Sequence, residues 1–600
     1  MKTNKEFNVL FSKLLVFEAV ISIFTALKTD DSRMHMKISL SLVLILLFNY
    51  TVAQINVPQN YFQDPMEIPL ILSGTFAELR SNHFHGGLDI KTQQREGIPV
   101  VAAAQGYISR INVSPFGYGK ALYIQHPNGY TTVYAHLRNF SPEIEQYIKK
   151  IQYRRESYRV EVYPKPHELP VGKGEHIAYS GNTGGSGGPH LHFEIRDSQQ
   201  RPMNPLLFGY QIKDTRKPII QSFHVYPQNN QSHVNGSARP QQLNITLQSD
   251  GNYLTQPIEA SGLLGFGIST VDQQDEAHNR NGVYRLEADL NEQRVFQANF
   301  ERFSFAETRH LNQLIDYEHY MRNRNRVQKL FVEKSNPLSI YSNTNNSGYI
   351  DVKEGDTLTY TVTVRDFAGN YRQVKVPIKG RAATQIQLQE DLVTPYLARV
   401  SKNSLFEGNG IDVYIPANSL YQDTYLDIEF QDERIILHEE VVPLHTNIRI
   451  GFDVSHYQAS DRQQLYVARL TTGGSKIHTS TQLLENRLVA STRSFGTYVI
   501  AHDQNPPVVT PVNFQDQQWI SNNKDLRVRI TDNETGIKDY RATINGKFIL
   551  MEYEYKDNLL TYDFADGIIS ETENNFELVV TDNVGNTTTY RATFFRKNNL

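Results

Sequence analysis

Short apolar runs alternate with glycine-containing turns between residues 65 and 210. Runs of five to seven residues rich in Val, Ile, Tyr and Ala and bounded by turn residues favour strands over helices. The predicted strands are 100–104, 107–113, 121–126, 131–137, 176–180 and 190–196. We therefore predict a first domain over 65–210 that is built mainly from β-strands.

One segment interrupts this pattern. Ser141-Pro142 precedes the charged stretch EIEQYIKKIQYRRE at 143–156, and a serine followed by proline is a common helix start. The abundance of charge predicts a solvent-exposed helix. With the residues up to 163 it forms a predicted insertion, 141–163, between two strands of the domain.

Beyond residue 215 the chain keeps an alternating β pattern and contains a weak internal repeat. Residues 282–291 resemble 536–545, and each copy is followed by an Asp-x-x-Gly-Asn turn, at 366–370 and 582–586. Such a turn after an alternating strand predicts a hairpin, because Gly and Asn tolerate positive φ. We predict immunoglobulin-like β modules over 215–380 and 505–597, with another β-rich module over 392–503.

The first of these modules contains a less regular stretch, 303–330, which is interpreted as a helical insertion. His310 and His319 within it have no matching partners in the sequence, so a solvated helix face is the expected setting for both. The predicted fold class is mostly β and multidomain, with the 65–210 domain followed by about three β-sandwich-like modules.

The N-terminus has the pattern of a secretory signal peptide at 36–53. A basic start at Lys37 precedes the apolar run ISLSLVLILLF, and Ala53 follows as the small residue before the cut. The run is shorter than the roughly 20 residues of a membrane span, although an uncleaved anchor is the rival interpretation. We expect translation to start at Met34 or Met36, which would make residues 1–35 a mis-annotated extension. The mature chain is expected to be exported, to the periplasm or surface of a Gram-negative bacterium or beyond.

Composition narrows the chemistry. A chain of 600 residues is too long for one core and suggests three to five units. The absence of cysteine excludes disulfides, thiolate zinc ligands and a cysteine nucleophile. The formal net charge of −4 gives no reason to expect nucleic acid or an anionic membrane as a partner.

Histidines with metal-ligand character concentrate in two glycine-rich segments, RSNHFHGGLD at 80–89 and GGSGGPHLHFE at 184–194. His190 and His192 are two apart on a predicted strand, so both rings face one side. Two glycines between His85 and Asp89 favour a bend that brings both side chains to one point. Imidazoles with a carboxylate form a good zinc set. His136, in the segment YAHL at 134–137, adds a group able to accept or donate a proton near neutral pH.

Taken in order, these three motifs resemble the lysostaphin/LytM-type metallopeptidases over residues 70–208. The resemblance implies an antiparallel β-sheet domain, the duplicated-hybrid-motif fold, with one Zn²⁺ held by His85, Asp89 and His192. It implies that His190 and His136 activate water and stabilise the oxyanion. We assign the general base to His190 and the oxyanion contact to His136, although the sequence allows the two roles to be exchanged. The insertion 141–163 departs from the compact family pattern and leaves the groove shape open.

Other candidates receive simpler interpretations. His126, His167 and His176 are expected to be structural or solvated, and His83 is not expected to bind metal, because the family pattern assigns the ligand to His85. Arg80 is interpreted either as a substrate contact or as part of a surface pair. The run 184–188 lacks the Lys-Ser/Thr and the helix of a phosphate-binding loop.

The sequence therefore predicts a zinc metalloendopeptidase that hydrolyses peptide bonds, with peptidoglycan cross-links as the substrate. One alternative is a catalytically silent domain that binds wall peptides or activates other hydrolases. Another is a secreted protease of protein substrates. The β modules beyond 215 are open to wall binding, protein binding or a spacer role, and no membrane span is expected in the mature chain.

Overall fold

Strands dominate the part of the chain that the structure, a computed structural model, describes: residues 56–383, 385–390 and 392–597. The predicted signal peptide and the extension before it lie outside the described residues. Within the described ranges, no helix is long and apolar enough to cross a membrane. The described residues from Gln59 onward form one compact unit, and their strands fall into four groups along the chain.

The first group is an 11-stranded sheet with the order β1-β2-β10-β6-β5-β4-β7, joined by the short strands β3, β8, β9 and β11. Neighbouring strands in it are antiparallel. Strands β1 to β11 are, in order, Leu72–Gly74, Leu88–Lys91, Pro99–Val101, Gly106–Val113, Lys120–Gln125, Thr131–Phe140, Val160–Val162, Pro170–Val171, His176–Ser180, His190–Arg196 and Pro202–Met203. Each of the six predicted strands is present, with ends that differ by at most three residues.

Helix α1, Pro142–Arg155, forms where the sequence predicts it, with Ser141 before it and Pro142 in its first turn. The expectation of a solvent-exposed helix is wrong for one face, because Ile144, Ile148 and Ile151 are buried. Isoleucines at this spacing share one side of a helix, and the surrounding charges obscured that stripe in the sequence. The helix is therefore packed on the domain by an apolar edge.

The second group is a 13-stranded sheet built around β12-β17-β24-β23-β18-β19. Strands β12 to β24 are Ile219–Pro227, His233–Val234, Gln241–Leu243, Ile245–Leu247, Tyr253–Thr255, Ile258–Val271, Arg285–Leu290, Gln293–Asn299, Gln328–Lys329, Tyr341–Ser342, Ile350–Val352, Thr357–Arg365 and Tyr371–Gly380. The predicted helical insertion contains only two short helices, α2 (Leu311–Leu314) and α3 (Tyr317–Asn323). His310 precedes α2 on a 3₁₀ turn, with its ring 4.6 Å from that of His445, so the predicted solvated helix face does not describe it.

The third and fourth groups are paired sheets. Strands β25 to β36 form a two-stranded and two five-stranded sheets, and β37 to β45 form a four-stranded and a five-stranded sheet. Their bounds are Tyr396–Ala398, Ser404–Gly408, Ile411–Ile415, Thr424–Leu426, Ile428–Gln431, Arg434–Leu437, Ile448–Asp453, Leu465–Leu470, Lys476–His478, Thr481–Leu484, Arg487–Thr492 and Gly496–His502; then Val508–Pro511, Gln518–Trp519, Asp525–Thr531, Ile537–Ile544, Lys547–Ile549, Met551–Glu554, Leu559–Asp563, Glu573–Asp582 and Thr587–Phe595. Short 3₁₀ turns occupy Pro205–Phe208, Thr308–His310, Asn346–Gly348, Arg462–Gln464 and Phe564–Asp566. The predicted mostly β, multidomain architecture is confirmed.

The internal repeat corresponds to equivalent structure in the second and fourth groups. Strands β23 and β24 pair around the turn at 366–370, and β44 and β45 pair around the turn at 582–586. Gly369 and Gly585 have φ of 95° and 98°. The upstream copies lie in β18 and β40, each paired with the first strand of its hairpin. Both predicted hairpins are therefore present, and the two groups share this three-strand arrangement.

The second group shares its core with the segment that precedes β2. Phe76 and Phe84 belong to the same apolar cluster as Phe300 and Phe303, and the Phe76 and Phe303 rings stack with centroids 5.2 Å apart. Burying aromatic rings removes much apolar surface from water. This shared core fixes the chain immediately on both sides of His85.

The fourth group packs on α1 and β5 through charged contacts. Lys120 is buried and its Nζ lies 2.9 Å from both carboxylate oxygens of Glu552. Lys149 Nζ and Tyr153 Oη each donate to Asp566 at 2.6 Å. A buried ammonium needs such a partner to offset its lost hydration, so Glu552 ties the fourth group to the first.

Replacing Glu552 with Gln should destabilise the protein by about 1–3 kcal/mol, because it removes the carboxylate in direct contact with the buried Lys120 ammonium. Denaturant or calorimetric unfolding measures this loss. The matched control is Glu577→Gln. The Glu577 carboxylate has the same 41% exposure as that of Glu552, but it pairs with the exposed Arg591. This change should lower the free energy of unfolding by less than about 0.5 kcal/mol. Equal losses in the free energy of unfolding for the two variants would contradict the role of Glu552 as the partner of Lys120.

Candidate metal centre

Strand pairing brings the two histidine-rich segments together. In the antiparallel pair of β2 and β10, Asp89 lies opposite His192. On the other side of β10, His192 lies opposite Ala135 of β6, and His136 follows Ala135. Residues far apart in sequence therefore converge at one place on the sheet.

Glycines before β2 allow the close approach of that strand to β10. A Cβ on Gly87 would lie 2.1 Å from the carbonyl oxygen of Phe193, and one on Gly86 would lie 2.8 Å from Glu194 Oε1. Real Cβ atoms do not approach backbone atoms so closely, so only glycine fits at position 87, whereas a side chain at position 86 would require the Glu194 carboxylate to move. The bend predicted between His85 and Asp89 thus has a steric cause.

His85, Asp89 and His192 form a nearly equilateral triangle of potential ligand atoms. His85 Nε2 lies 2.9 Å from Asp89 Oδ1 and 3.0 Å from His192 Nδ1, and the last two atoms are 2.9 Å apart. All three side chains are buried. Three N and O atoms that converge in this way match the donor set of a catalytic zinc site, whose fourth position is open.

Hydrogen bonds on the far side of each ligand orient the triangle. His85 Nδ1 lies 2.7 Å from the Thr75 carbonyl, and His192 Nε2 lies 2.9 Å from Glu194 Oε1. Each acceptor holds the proton on the outward nitrogen and directs the other nitrogen's lone pair inward, as zinc-binding histidines require. Arg80 Nη2 donates to Asp89 Oδ2 at 2.9 Å and fixes the carboxylate. The residues present therefore fit the zinc ion that the sequence predicts.

The electrostatics of the triangle favour a deprotonated carboxylate. Burial alone would raise the pKa of Asp89, but His85, His190 and His192 hold it well below its usual range. Burial likewise opposes the charged form of His192, yet its hydrogen bonds to Asp89 and Glu194 raise its pKa to about 9. Burial would raise the pKa of Glu194, but Arg196 and His192 hold it at about 2. Without a cation, a proton on His192 balances the surrounding carboxylates.

His190 and His136 flank the triangle, with their rings 4.8 Å apart. His190 Nδ1 lies 2.8 Å from the Gly188 carbonyl, and its Nε2 lies 3.4 Å from Asp89 Oδ1. His136 Nδ1 lies 2.8 Å from the Thr183 carbonyl. Burial, then His192 and His190, lower the pKa of His136 to about 3. His136 is thus neutral with its proton on Nδ1, so its Nε2 accepts hydrogen bonds and does not donate.

The remaining candidates lie outside the triangle. His83 is exposed, and His126 is buried with one nitrogen 2.8 Å from the Gln105 carbonyl and the other 2.8 Å from the Thr132 hydroxyl. His176 packs its ring against Tyr179, and His167 is exposed. Arg80 bonds to Asp89 and Glu78, an arrangement that makes it a positioning residue.

Sequence reasoning missed the groups that support His192. Glu194 is fully buried, receives a 2.6 Å bond from Arg196 Nε, and also accepts from the Tyr118 hydroxyl. Residues two apart on a strand share a face, so the sequence of β10 already indicated that Glu194 lies on the same face as His192. No signal in the sequence indicated Tyr118.

A groove of about 660 Å³ leads to Asp89 and His190. Its lining includes Gly187 to Pro189, and Glu276 and Asn279 of the second group also contribute. The other residues of the first group that line it include Ile68, Pro69, Ile71, Ser73 and Lys91. The opening is therefore shaped by more than the first sheet.

The fourth group reaches the loop that supports His190. Lys556 Nζ donates to the carbonyls of Asn182 and Gly184, the latter at 3.2 Å. Ser186, in the same loop, lies four residues before His190, and its Oγ is 3.1 Å from the Nδ1 of His190. The glycine-rich loop is therefore held from outside the first sheet at the rim of the site.

Comparisons with known proteins agree with this site. Residues 83–153 and 164–205 match Peptidase family M23, and residues 395–503 match a Zu5-like domain. An uncharacterized metalloprotease of Haemophilus influenzae is 34% identical over 122 residues, 20% of this chain and 20% of that protein. A DD-carboxypeptidase/endopeptidase, Mpg, of Neisseria meningitidis is 37% identical over 128 residues, 21% of this chain and 23% of that protein. The chain thus spans about a fifth of the length of these relatives.

Among solved structures, the catalytic domain of lysostaphin from Staphylococcus simulans is 23% identical, covers 22% of this chain and 87% of its own, and has a TM-score of 0.17. The resemblance inferred from the sequence is confirmed by the family match of these segments to Peptidase family M23.

The pKa of His192 is about 9, so its ring is protonated near pH 7. Zinc binding should therefore release a proton at this pH, because the metal needs the Nδ1 lone pair that the proton occupies. Affinity should therefore rise with pH up to about 9. Calorimetric titration of zinc into the metal-free protein, in buffers of different ionisation enthalpy, measures the proton count. Identical heats in all buffers would contradict a protonated His192.

Proposed function

We propose that this protein is an exported zinc metalloendopeptidase that hydrolyses peptide bonds in peptidoglycan. The observation that carries the proposal is the triangle of His85 Nε2, Asp89 Oδ1 and His192 Nδ1, with the outer nitrogen of each histidine already committed to a hydrogen bond. That arrangement supports a metal site with an open side, as catalysis requires.

His85, Asp89 and His192 would hold the zinc ion. When bound, zinc polarises a peptide carbonyl and makes a water molecule more acidic. Arg80 and Glu194 keep Asp89 and His192 in place, so the three ligand atoms need little rearrangement when the ion binds.

His190 is proposed as the general base, as the sequence analysis expects. Its Nδ1 proton is committed to the Gly188 carbonyl, so its Nε2 accepts the proton of the attacking water. Asp89 Oδ1, 3.4 Å from that nitrogen, stabilises the imidazolium that results. The same proton can then pass to the leaving amine.

For His136 the geometry favours a different role from the oxyanion contact that the sequence analysis assigns. A neutral ring with its proton on Nδ1 can only accept at Nε2. We propose that His136 orients the attacking water, or the amide N–H of the substrate, by accepting its hydrogen bond. This role needs no change in the protonation of His136.

The groove supports an extended peptide as the substrate. Gly187 and Gly188 line part of it, and residues without side chains allow close approach of another backbone. The Neisseria relative is named a DD-carboxypeptidase/endopeptidase, and this name supports peptidoglycan as the substrate here. Export, inferred from the N-terminal sequence, would bring the enzyme to that polymer.

Digestion of purified Gram-negative peptidoglycan tests the proposal. The zinc-loaded protein should release uncrosslinked peptides, and their masses identify the bond cut. A chelator or the change His192→Ala should abolish the products, because either removes the metal. Zinc content of each sample is measured in parallel.

Two outcomes would redirect the assignment. A protein that binds one zinc and leaves peptidoglycan intact, yet cleaves protein substrates, would indicate a secreted protease. A protein that binds wall peptides and neither holds zinc nor cleaves would indicate a catalytically silent binding domain.

His190→Ala and His136→Ala should both retain zinc, since neither residue belongs to the triangle. Loss of the base should lower the kcat of His190→Ala by about 10²–10⁴-fold. His136→Ala should also lower kcat. His83→Ala is the matched control, because His83 is exposed in the same motif and its loss should change neither zinc content nor kcat. An unchanged kcat in zinc-loaded His190→Ala would contradict its role as the base.

A further inference from the structure

A second cluster of potential cation ligands lies in the second strand group, outside the peptidase-type sheet. Asp214, Asp272 and Asp366 each offer a carboxylate oxygen, and these oxygens lie within 4.8 Å of one another. Asp214 is in the connection that precedes β12, Asp272 directly follows β17, and Asp366 directly follows β23. We call these three residues the linker triad.

One carboxylate of the linker triad has a buried oxygen without a hydrogen-bond partner among the described residues. Asp272 is 3% exposed, and its Oδ1 is buried without a hydrogen-bond partner among the described residues. Burying an unpaired carboxylate costs free energy, which a cation or a proton must offset. Asp272 therefore points to a missing ligand at the triad.

The other two carboxylates are held in place by short local bonds. Asp366 Oδ1 accepts from the Asn370 backbone N–H at 2.9 Å, and its Oδ2 accepts from the Asn370 side chain at 2.8 Å. Asp214 Oδ1 accepts from the Arg216 N–H at 3.1 Å. The Asn370 amide also donates to the Asp214 carbonyl at 3.2 Å, which ties the connection to the hairpin turn.

Burial, together with mutual repulsion, raises the pKa of the triad's carboxyl groups. Burial, then Asp214 and Asp366, raise the pKa of Asp272 to about 8, although Arg216 acts in the opposite direction. Burial raises the pKa of Asp214 to about 6, with further contributions from Asp366 and Asp275. Three carboxylates at this distance do not ionise together without a compensating cation.

The arrangement recurs in the fourth strand group, so it does not arise from a single accident of packing. Asp503, Asp532 and Asp582 also have ligand oxygens within 4.8 Å of one another. Asp503 lies five residues before the first strand of its group, as Asp214 does, and the Asn586 amide donates to the Asp503 carbonyl as Asn370 does to Asp214. In this second triad, however, Thr535 satisfies Asp503 Oδ2, and no carboxylate oxygen is buried without a partner among the described residues.

We propose that the linker triad binds one Ca²⁺ ion, which fastens the connection between the peptidase-type sheet and the second strand group. An all-oxygen, carboxylate-rich set selects a hard cation. Ca²⁺ accepts irregular geometry and completes its shell with carbonyls or water, whereas Mg²⁺ requires a near-ideal octahedron. The site is independent of the proposed peptidase function.

Ca²⁺ binding to the zinc-loaded protein, measured by equilibrium dialysis and by thermal unfolding, tests the proposal. Ca²⁺ should raise the unfolding temperature of the wild type, with an affinity in the range of extracellular modules, about 10⁻⁴–10⁻³ M. Asp272→Asn should bind one fewer Ca²⁺ per chain than the wild type, and Ca²⁺ should raise its unfolding temperature by less. Without added Ca²⁺, the same variant should unfold at or above the wild-type temperature, because it removes an unpaired buried carboxylate.

Asp351→Asn is the matched control: this exposed aspartate lies in β22 of the same group, and its variant should bind Ca²⁺ as the wild type does. Zinc content should be equal in all three proteins. An equal Ca²⁺ stoichiometry in wild type and Asp272→Asn, or no Ca²⁺ bound by the wild type at about 10 mM, well above that affinity range, would overturn the proposal. If Asp272→Asn did not fold, equilibrium dialysis of the wild type would still test the proposal, because an absence of bound Ca²⁺ at that concentration would overturn it.

Discussion

The antiparallel pairing of β2 with β10 is the constraint on which the metal centre depends, because it sets Asp89 opposite His192. That register requires the two backbones to approach closely just before β2, where a Cβ at Gly87 would collide with the carbonyl of Phe193. A shift of one residue would turn His192 to the other face of the sheet. The triangle of ligand atoms is therefore a consequence of strand register and of glycine.

Around this register, support comes from groups that are distant in sequence. The second strand group shares an aromatic core with the segment that carries His85, and the fourth reaches the loop before His190 through Lys556. Glu194, which is itself held by Arg196, forms a hydrogen bond with His192 on the same face of β10. Preorganised ligands of this kind depend on their outer partners for orientation, so the β groups beyond residue 215 contribute to the geometry of the site.

Much of this arrangement was predictable from the sequence, since period-two alternation and glycine turns define strands locally. Six strands of the first sheet, the helix at 142–155 and both Asp-x-x-Gly-Asn hairpins are present as predicted. The buried isoleucine face of the helix was missed because charged neighbours dominate its composition. The helical insertion proved mostly irregular, because its side chains are placed by long-range packing. The Thr75, Tyr118 and Lys556 contacts depend on which strands and groups become neighbours, which local patterns do not determine.

X-ray absorption spectroscopy at the zinc edge tests the central claim most directly, because it measures the ligand distances and counts the imidazole rings from their outer-shell scattering. We predict two imidazoles among the N and O ligands at about 2.0–2.2 Å, and the same spectrum for the His136→Ala and His190→Ala proteins. A third imidazole in the zinc shell, or a spectrum that changes when either of those two histidines is removed, would contradict it.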